Sequence, residues 1–297
     1  MGFASLIKSI DPEKEGLIVI DDEKLKLLHR ELLQMISDFK DICDIHNIKW
    51  GLGGGSMLGA VRHKGFIPWD DDLDIIMTRE EYNKLVKVMR NDNSSDYLLS
   101  IPGDKDYILH FPRVYKKGTV YRELQSTDKT MNALFLDIFV FENTPNNKLL
   151  RKLHEIECNL YCGIISAVRI NACQGTLSKY SSHNTELTKA IRKRACLGKL
   201  LSFKKLEWWL KQADKCFSRV KNNQSKYMTL PTGVVHYARE MVLREKMDTY
   251  IAAKFESIEL PITKEYDYYL KHRYGDDYMK VPSVEKRERH ALISFDL

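Results

Sequence analysis

Residues Gly53–Met77 read GGGSMLGAVRHKGFIPWDDDLDIIM. Four of the five positions from Asp70 to Asp74 are aspartate, with Ile67 and Trp69 before them and Ile75 and Ile76 after. Apolar flanks on an acidic run predict a partly buried strand, Leu73–Met77, and not a solvated loop. Side chains alternate along a strand, so Asp70, Asp72 and Asp74 are expected on one face, with Asp71 and Leu73 on the other. Three carboxylates on one face repel one another unless a cation sits between them. Hard oxygen donors of this kind suit Mg²⁺ or Mn²⁺.

A second acid is equally out of place. Asp137 lies in LFLDIFVF, Leu134–Phe141, where every neighbour is apolar. A lone buried acid is costly without a partner. If its strand lies beside Leu73–Met77, Asp137 joins the same cation site; the alternative is a buried pair with an arginine. Upstream, Gly54, Gly55 and Ser56 open a segment suited to a tight turn entering a short helix. There the backbone approaches a phosphate closely and the helix N-terminus favours an anion. Arg62, His63 and Lys64 stand between that turn and the acids. Arg113, in HFPRVYKKG, reads as a phosphate fork or as the internal partner of one of the aspartates.

Further out, Leu25, Leu28, Leu32, Ile36, Phe39 and Cys43 recur at three and four residues, predicting a helix over residues 21–46. Ile48–Leu52 reads as a short strand. Thr78 and Glu81 form a capping pattern for a helix running towards Met89. Residues 91–106 read as loop, and Ile108–Tyr115 and Thr119–Leu124 as two strands turned at Lys117-Gly118. Beyond Pro145 the pattern becomes helical, over about 147–169 and 185–222. The expected fold is α/β (α+β): a mixed β-sheet core with flanking helices over residues 1–145, and a mainly helical region, residues 146–297, packed on it.

The chain has 297 residues, a net charge of +6, 43% hydrophobic and 30% charged residues, a globular composition that excludes collagen, coiled coil and disorder. No apolar stretch is long enough for a membrane span. The N-terminus lacks the apolar core of a signal peptide, and Leu6 stands where a myristoylation signal wants Ser or Thr. Six cysteines without a C-x-x-C pair imply reduced thiols in a cytoplasmic protein. His154, Cys158 and Cys162 share a helix face at i, i+4 and i+8, a possible zinc set with no fourth ligand at motif spacing. Residues 189–221 carry eleven Lys or Arg against Glu207 and Asp214, a local +9 that leaves −3 for the remainder. This is either a solvated helical face or a docking surface for an anionic polymer or bilayer. Arg192-Lys193-Arg194 and Lys204-Lys205, with Phe203, Trp208 and Trp209, fit a helix lying at the inner face of a membrane.

The order Gly-Gly-Ser, Asp-x-Asp on a strand, and Asp on a later strand resembles the nucleotidyltransferase superfamily. More narrowly, GGGSMLGAVRHKGFIPWDDDLDI resembles the signature of the LicD family, to which fukutin and fukutin-related protein are related. LFLDIFVFENTP and, near the C-terminus, YDYYLKHRYGDDYMKVP extend the resemblance over roughly residues 25–290. It implies a nucleotidyltransferase-like core and an enzyme that moves phosphocholine, or a related phospho-alcohol, from a CDP-alcohol (CDP-choline foremost) to a hydroxyl of a surface glycan or its lipid-linked precursor. CMP would leave. Asp72 and Asp74 would hold Mg²⁺ or Mn²⁺, with Asp70 beside them. Asp137 would complete the metal site and accept the proton of the attacking hydroxyl. Gly54, Gly55, Ser56, Arg62, His63, Lys64 and Arg113 would face phosphate, and Tyr274 substrate. A choline head would call for an aromatic box, with Tyr266, Tyr268, Tyr269, Tyr274, Tyr278, Trp69 and Trp208-Trp209 as candidates. The alternative activity is nucleotidyl transfer releasing pyrophosphate. A nucleic-acid-binding role for residues 189–221 has no supporting motif, and an inactive interaction protein is disfavoured by the complete set of acids.

Overall fold

The computed structural model describes residues 10–92, 95–181, 183–284, 287 and 290–297. The N-terminal leader reading falls on residues 1–9, outside these. Two strands form the spine. β3 (Asp74–Thr78) runs parallel to β7 (Phe135–Asn143), with Asp74 opposite Asp137. Apart from those acids and the polar far ends, Thr78 on β3 and Glu142-Asn143 on β7, both are apolar, as strands covered on both faces must be. β2 (Gly51–Leu52) pairs antiparallel with β3. On the other side β5 (Arg113–Lys116) pairs with β7, and β4 (Tyr97–Ser100) closes the edge, giving the order β2-β3-β7-β5-β4. The far end of β7 takes up β8 (Tyr227–Thr229), which pairs with β9 (Val242–Leu243).

Two expectations change here. β4 lies inside the stretch read as loop: its YLLS is surrounded by Asp, Asn, Ser and Gly, which hid a four-residue strand. The hairpin at Lys117-Gly118 does not form, although Gly118 does adopt a left-handed φ of 83°. β6 (Val120–Glu123) leaves β5 and forms one edge of a separate three-stranded sheet, with β12 (Ala291–Asp296) in the middle and β1 (Ile18–Val19) at the other edge.

Helices cover the spine. α1 (Asp22–Ile45) begins where the Asp21 carboxylate accepts the Lys24 N–H at 2.8 Å and buries the leucine stripe read from the sequence. α2 (Gly54–Arg62) starts directly at the glycines. α3 (Arg79–Asn91) is capped by the Thr78 hydroxyl, but the Glu81 carboxylate accepts from the Lys49 amide and pairs with Lys84 instead of turning back. α4 (Lys148–Ala172), α5 (Gln174–Lys179), α6 (Thr185–Leu201) and α7 (Leu206–Phe217) form a helical lobe. The long helix expected over 185–222 is therefore broken between Leu201 and Leu206. α6 lies against α4 closely enough that a Cβ on Gly198 would meet the Ala167 carbonyl oxygen at 2.1 Å.

After this lobe the chain returns to the core. α8 (His236–Arg239), the hairpin β10 (Tyr250–Phe255)–β11 (Ile258–Thr263) and α9 (Tyr266–Tyr274) follow. One apolar cluster runs from Ile20 to Leu292 and includes Met228, Phe255, Leu260 and Tyr269. The C-terminal half is thus helical only through its first part, and its last seventy residues complete the core.

Candidate active site

Only Asp74 of the acidic run lies within a strand; residues 70–73 approach it as extended chain. Asp70 and Asp74 part from Asp71 as alternation predicts, whereas the Asp72 carboxylate lies within 4.8 Å of Asp71 and His290. Asp71 turns away and is buried, held by the His290 amide (2.8 Å), the His290 ring Nδ1 (2.7 Å) and the Tyr121 hydroxyl (3.4 Å). Asp70 and Asp74 turn towards the glycine turn. A Cβ on Gly55 would come within 2.8 Å of an Asp70 carboxylate oxygen, and one on Gly54 within 2.4 Å of Asp74. Gly54 also holds a φ of +42°, so glycine is needed there both for backbone conformation and for this approach. β-Pairing then brings Asp137 beside Asp74, its amide bonded to the Leu73 carbonyl at 3.0 Å.

The electrostatics are unbalanced. Burial, followed by the charges of Asp72, Asp74 and Asp71, pushes the Asp70 carboxyl well above the usual range. Burial, then Asp72 and Asp137, does the same to Asp74. Asp72 is pushed up to about 6 by burial and by its acidic neighbours, against the pull of His290. For His290, burial disfavours the charge, but the Asp71 hydrogen bond and the charges of Asp71, Asp72 and Glu123 overcome it and raise the ring well above its ordinary value. Asp71, Asp72 and His290 each bring a donor atom within 4.8 Å of the others. Crowded carboxylates driven towards protonation by one another, beside a backbone that leaves room for their oxygens, fit a hard divalent cation.

Several sequence expectations meet different surroundings. Arg113 donates from Nε to Asp137 at 2.5 Å and from Nη2 at 3.3 Å, and its Nη1 pairs with Glu123. It also stacks over Phe135 at 3.4 Å. The guanidinium is buried and fully engaged, so of the two readings of Arg113 the internal partner is the one found, and the phosphate fork is not. Asp137 correspondingly takes its alternative reading of a buried Arg pair, at the edge of the acid site. Burial raises its carboxyl, with Arg113 opposing.

Arg62 donates from Nη1 to the carbonyls of Tyr278 (2.9 Å) and Lys280 (3.1 Å), so it fastens the C-terminal loop. His63 sits edge-on to Trp69, and burial and Arg62 lower its pKa. Lys64 is exposed, with a φ of 61°, and its carbonyl takes the Glu256 amide. The Ser56 hydroxyl accepts the Asp74 amide at 2.8 Å, tying the turn to the acid strand. The Gly54 amide donates to the Tyr269 hydroxyl at 3.2 Å. α2 carries no side-chain N-cap, so among the glycine-turn amides those of Gly55 and Ser56 are the ones placed to meet an anion.

Tyr274 lies at the turn. Its hydroxyl would lie 3.7 Å from a Cβ on Gly54, and it is 43% exposed. Tyr269 and Tyr278 are core residues, Tyr268 receives the Leu243 amide, and Trp69 lies under Arg287 at 4.2 Å. Of the aromatic-box candidates, Tyr274 is the one found at the glycine turn. Sequence reasoning missed His290, Glu123 and Arg273. Arg273 grips buried Glu240 through two bonds of 2.7 and 2.8 Å and lies near enough to Asp74 to pull its pKa down. All three are reached through tertiary returns of the chain, and no local pattern marks them.

Residues 47–157 match the family described as LicD/FKTN/FKRP, nucleotidyltransferase domain. That segment holds the glycine turn and the acids Asp70, Asp71, Asp72, Asp74 and Asp137. The lipopolysaccharide cholinephosphotransferase LicD of Haemophilus influenzae is 26% identical over 291 residues, covering 91% of this chain and 97% of that protein. An uncharacterised protein of Rickettsia prowazekii is 33% identical over 89 residues, 28% of this chain and 34% of its own length. One of Rickettsia typhi is 46% identical over 50 residues, 17% of this chain and 16% of its own.

Proposed function

Because this chain is a LicD family enzyme, we propose that it transfers phosphocholine from CDP-choline to a hydroxyl of a cell-surface glycan such as lipopolysaccharide, releasing CMP. What supports the reading is the approach of Asp70 and Asp74 to the Gly54–Gly55 backbone, with Asp137 paired beside Asp74, within a chain that aligns almost end to end with a lipopolysaccharide cholinephosphotransferase.

Displacement at a phosphorus centre demands positioning and charge neutralisation more than covalent help from the protein. Asp72 and Asp74 would hold Mg²⁺ or Mn²⁺, with Asp70 beside them, and the bound cation would supply neutralisation of diphosphate charge. The protein's own contribution is geometric. Ser56 and Gly53 fix Asp74 against the turn, and the Gly55 and Ser56 amides offer donors to phosphate oxygens. Arg113 holds Asp137 in one orientation, where its raised basicity suits acceptance of the hydroxyl proton. Tyr274 is the aromatic side chain at the turn that could meet a quaternary ammonium group.

Among the described residues no helix is long and apolar enough to cross a membrane. We place the enzyme's contact with a lipid-linked acceptor at the outer face of α6 and the adjoining half of α4, at the cytoplasmic surface of a bilayer. Leu153, Ile156 and Leu160 of α4, Leu197 and Leu200 of α6, and Phe203 are exposed beside Lys189, Lys193 and Lys204. Trp209 does not belong to that face: its ring is buried and its indole N–H bonds to the Leu201 carbonyl at 3.0 Å.

The test of function is product analysis. With CDP-choline, Mg²⁺ or Mn²⁺ and a lipooligosaccharide acceptor, CMP is expected together with a choline-bearing glycan. Pyrophosphate release from a nucleoside triphosphate, with no CMP from CDP-choline, would replace this reading by nucleotidyl transfer.

A further inference from the structure

The helical face that carries His154, Cys158 and Cys162 offered three ligands and no fourth. Folding changes the set. Cys162 is turned aside, its thiol directed to the Pro231 carbonyl at 3.4 Å. Cys216, fifty-eight residues beyond Cys158 and at the end of α7, takes its place. The Cys158 and Cys216 sulfurs lie 3.8 Å apart, and both thiols are free and buried. A nitrogen of His154 and the two sulfurs all lie within 4.8 Å of one another.

We propose that His154, Cys158 and Cys216 bind a structural zinc ion that joins α4 to α7, a site separate from the carboxylate centre. Three features of the geometry support it. Two thiolates on a tetrahedral zinc, at Zn–S distances of about 2.3 Å, stand about 3.8 Å apart, which is the separation found before any ion is added. His154 Nε2 faces the Cys216 carbonyl at 2.9 Å. A ring N–H given to a backbone carbonyl fixes the tautomer and leaves Nδ1 with its lone pair, the usual support of a metal-bound histidine. The Tyr237 O–H, 2.9 Å from Nδ1, marks that nitrogen as the one with the lone pair and is the group that zinc would displace from it.

The charge also balances. Two thiolates and a neutral imidazole cancel Zn²⁺, so the buried complex carries no net charge, where a lone buried ion would be costly. Binding breaks two S–H bonds, forms two Zn–S bonds and releases two protons to solvent. Zinc is favoured over Mg²⁺ or Mn²⁺ because thiolate is a soft donor.

The experiment uses the full chain, purified in reductant from zinc-supplemented cells, with metal content read by elemental analysis. About one zinc per chain is expected, falling by about nine-tenths in Cys216→Ser and in Cys158→Ser, unchanged in Cys162→Ser and unchanged in an Asp72→Asn/Asp74→Asn variant. Should the Cys216 or Cys158 variant fail to fold, the wild-type chain is stripped and reloaded with Co²⁺. A thiolate-to-cobalt charge-transfer band then supports the site. Absence of that band, zinc-free protein, or zinc that follows Cys162 or the aspartates would overturn it. Because none of these readouts is transferase activity, the inference stands or falls apart from the proposed function.

Discussion

β7 carries a buried acid near each end, and the two are treated in opposite ways. At its start Asp137 faces Asp74, with Asp70 and Asp72 close by, and acids outnumber the cations that reach them. At its far end Glu142 is gripped by Arg79, whose Nε lies 3.0 and 3.1 Å from its oxygens, while Arg79 Nη2 reaches Asp214 on α7 at 2.8 Å. The second cluster is complete in the folded chain and joins α3, β7 and the helical lobe. The first is incomplete and is stable at neutral pH only at a cost that a cation would remove. The contrast separates charge used for assembly from charge that the proposed chemistry would use, both on one strand.

Neutralising the first cluster is expected to give the largest effect. Asp72→Asn with Asp74→Asn should lower transfer on the order of 10³-fold, with CMP release as the readout and circular dichroism showing a folded chain. In chelator the same variant should melt higher than the parent. Full activity in this variant would show that the acids are not the metal site.

Breaking the second cluster should do the reverse. Arg79→Ala leaves Glu142 buried without its partner and should cost about 3 to 5 kcal/mol of stability, measured by urea unfolding. Activity per folded molecule should change by less than about threefold, since Arg79 touches none of the site residues. A selective loss of activity with stability intact would tie the seam to the chemistry.

A pH series in chelator sharpens the same contrast. Asp72 titrates at about 6 in the folded chain against an ordinary 3.8. The folded state therefore binds the proton more tightly than the unfolded one. Its contribution to stability is fully present below pH 4 and is lost as pH rises through 6. Melting temperature without metal should fall across that window, and excess Mg²⁺ or Mn²⁺ should flatten or reverse the slope. Asp72→Asn should remove only its own share of the fall, since Asp70 and Asp74 are raised as well.

The smallest effect is expected at the surface. Sedimentation with anionic vesicles should be measurable at low salt, drop several-fold at high salt, and vanish when Lys193, Lys204 and Lys205 are changed to Glu. Neutral vesicles binding equally well would remove the electrostatic part of the docking face.

The amphipathic period of α1, the apolar spine strands with their embedded acids, and the glycine turn were all legible because each is a local pattern with one physical reading. Asp70, Asp72, Asp74 and Asp137 stood out for the same reason: ionised groups in apolar surroundings need an explanation wherever the chain goes. The partners of those groups were not legible. Arg113 lies twenty-four residues before Asp137, His290 lies 219 beyond Asp71, and Tyr269 lies 215 beyond Gly54. Which cation neutralises an acid, and which is left to meet substrate, depends on strand pairing and on the return of the C-terminal segment. So Arg62 became a clamp on the Tyr278–Lys280 carbonyls, Arg113 a support for Asp137, and Cys216 replaced Cys162. The sequence by itself determined that acids and glycines of this kind need a cation and an anion near them, because desolvation penalties attach to residue types. Only the tertiary structure decided which side chains answer that need, because hydrogen bonds and ion pairs act over a few ångströms and are set by folding.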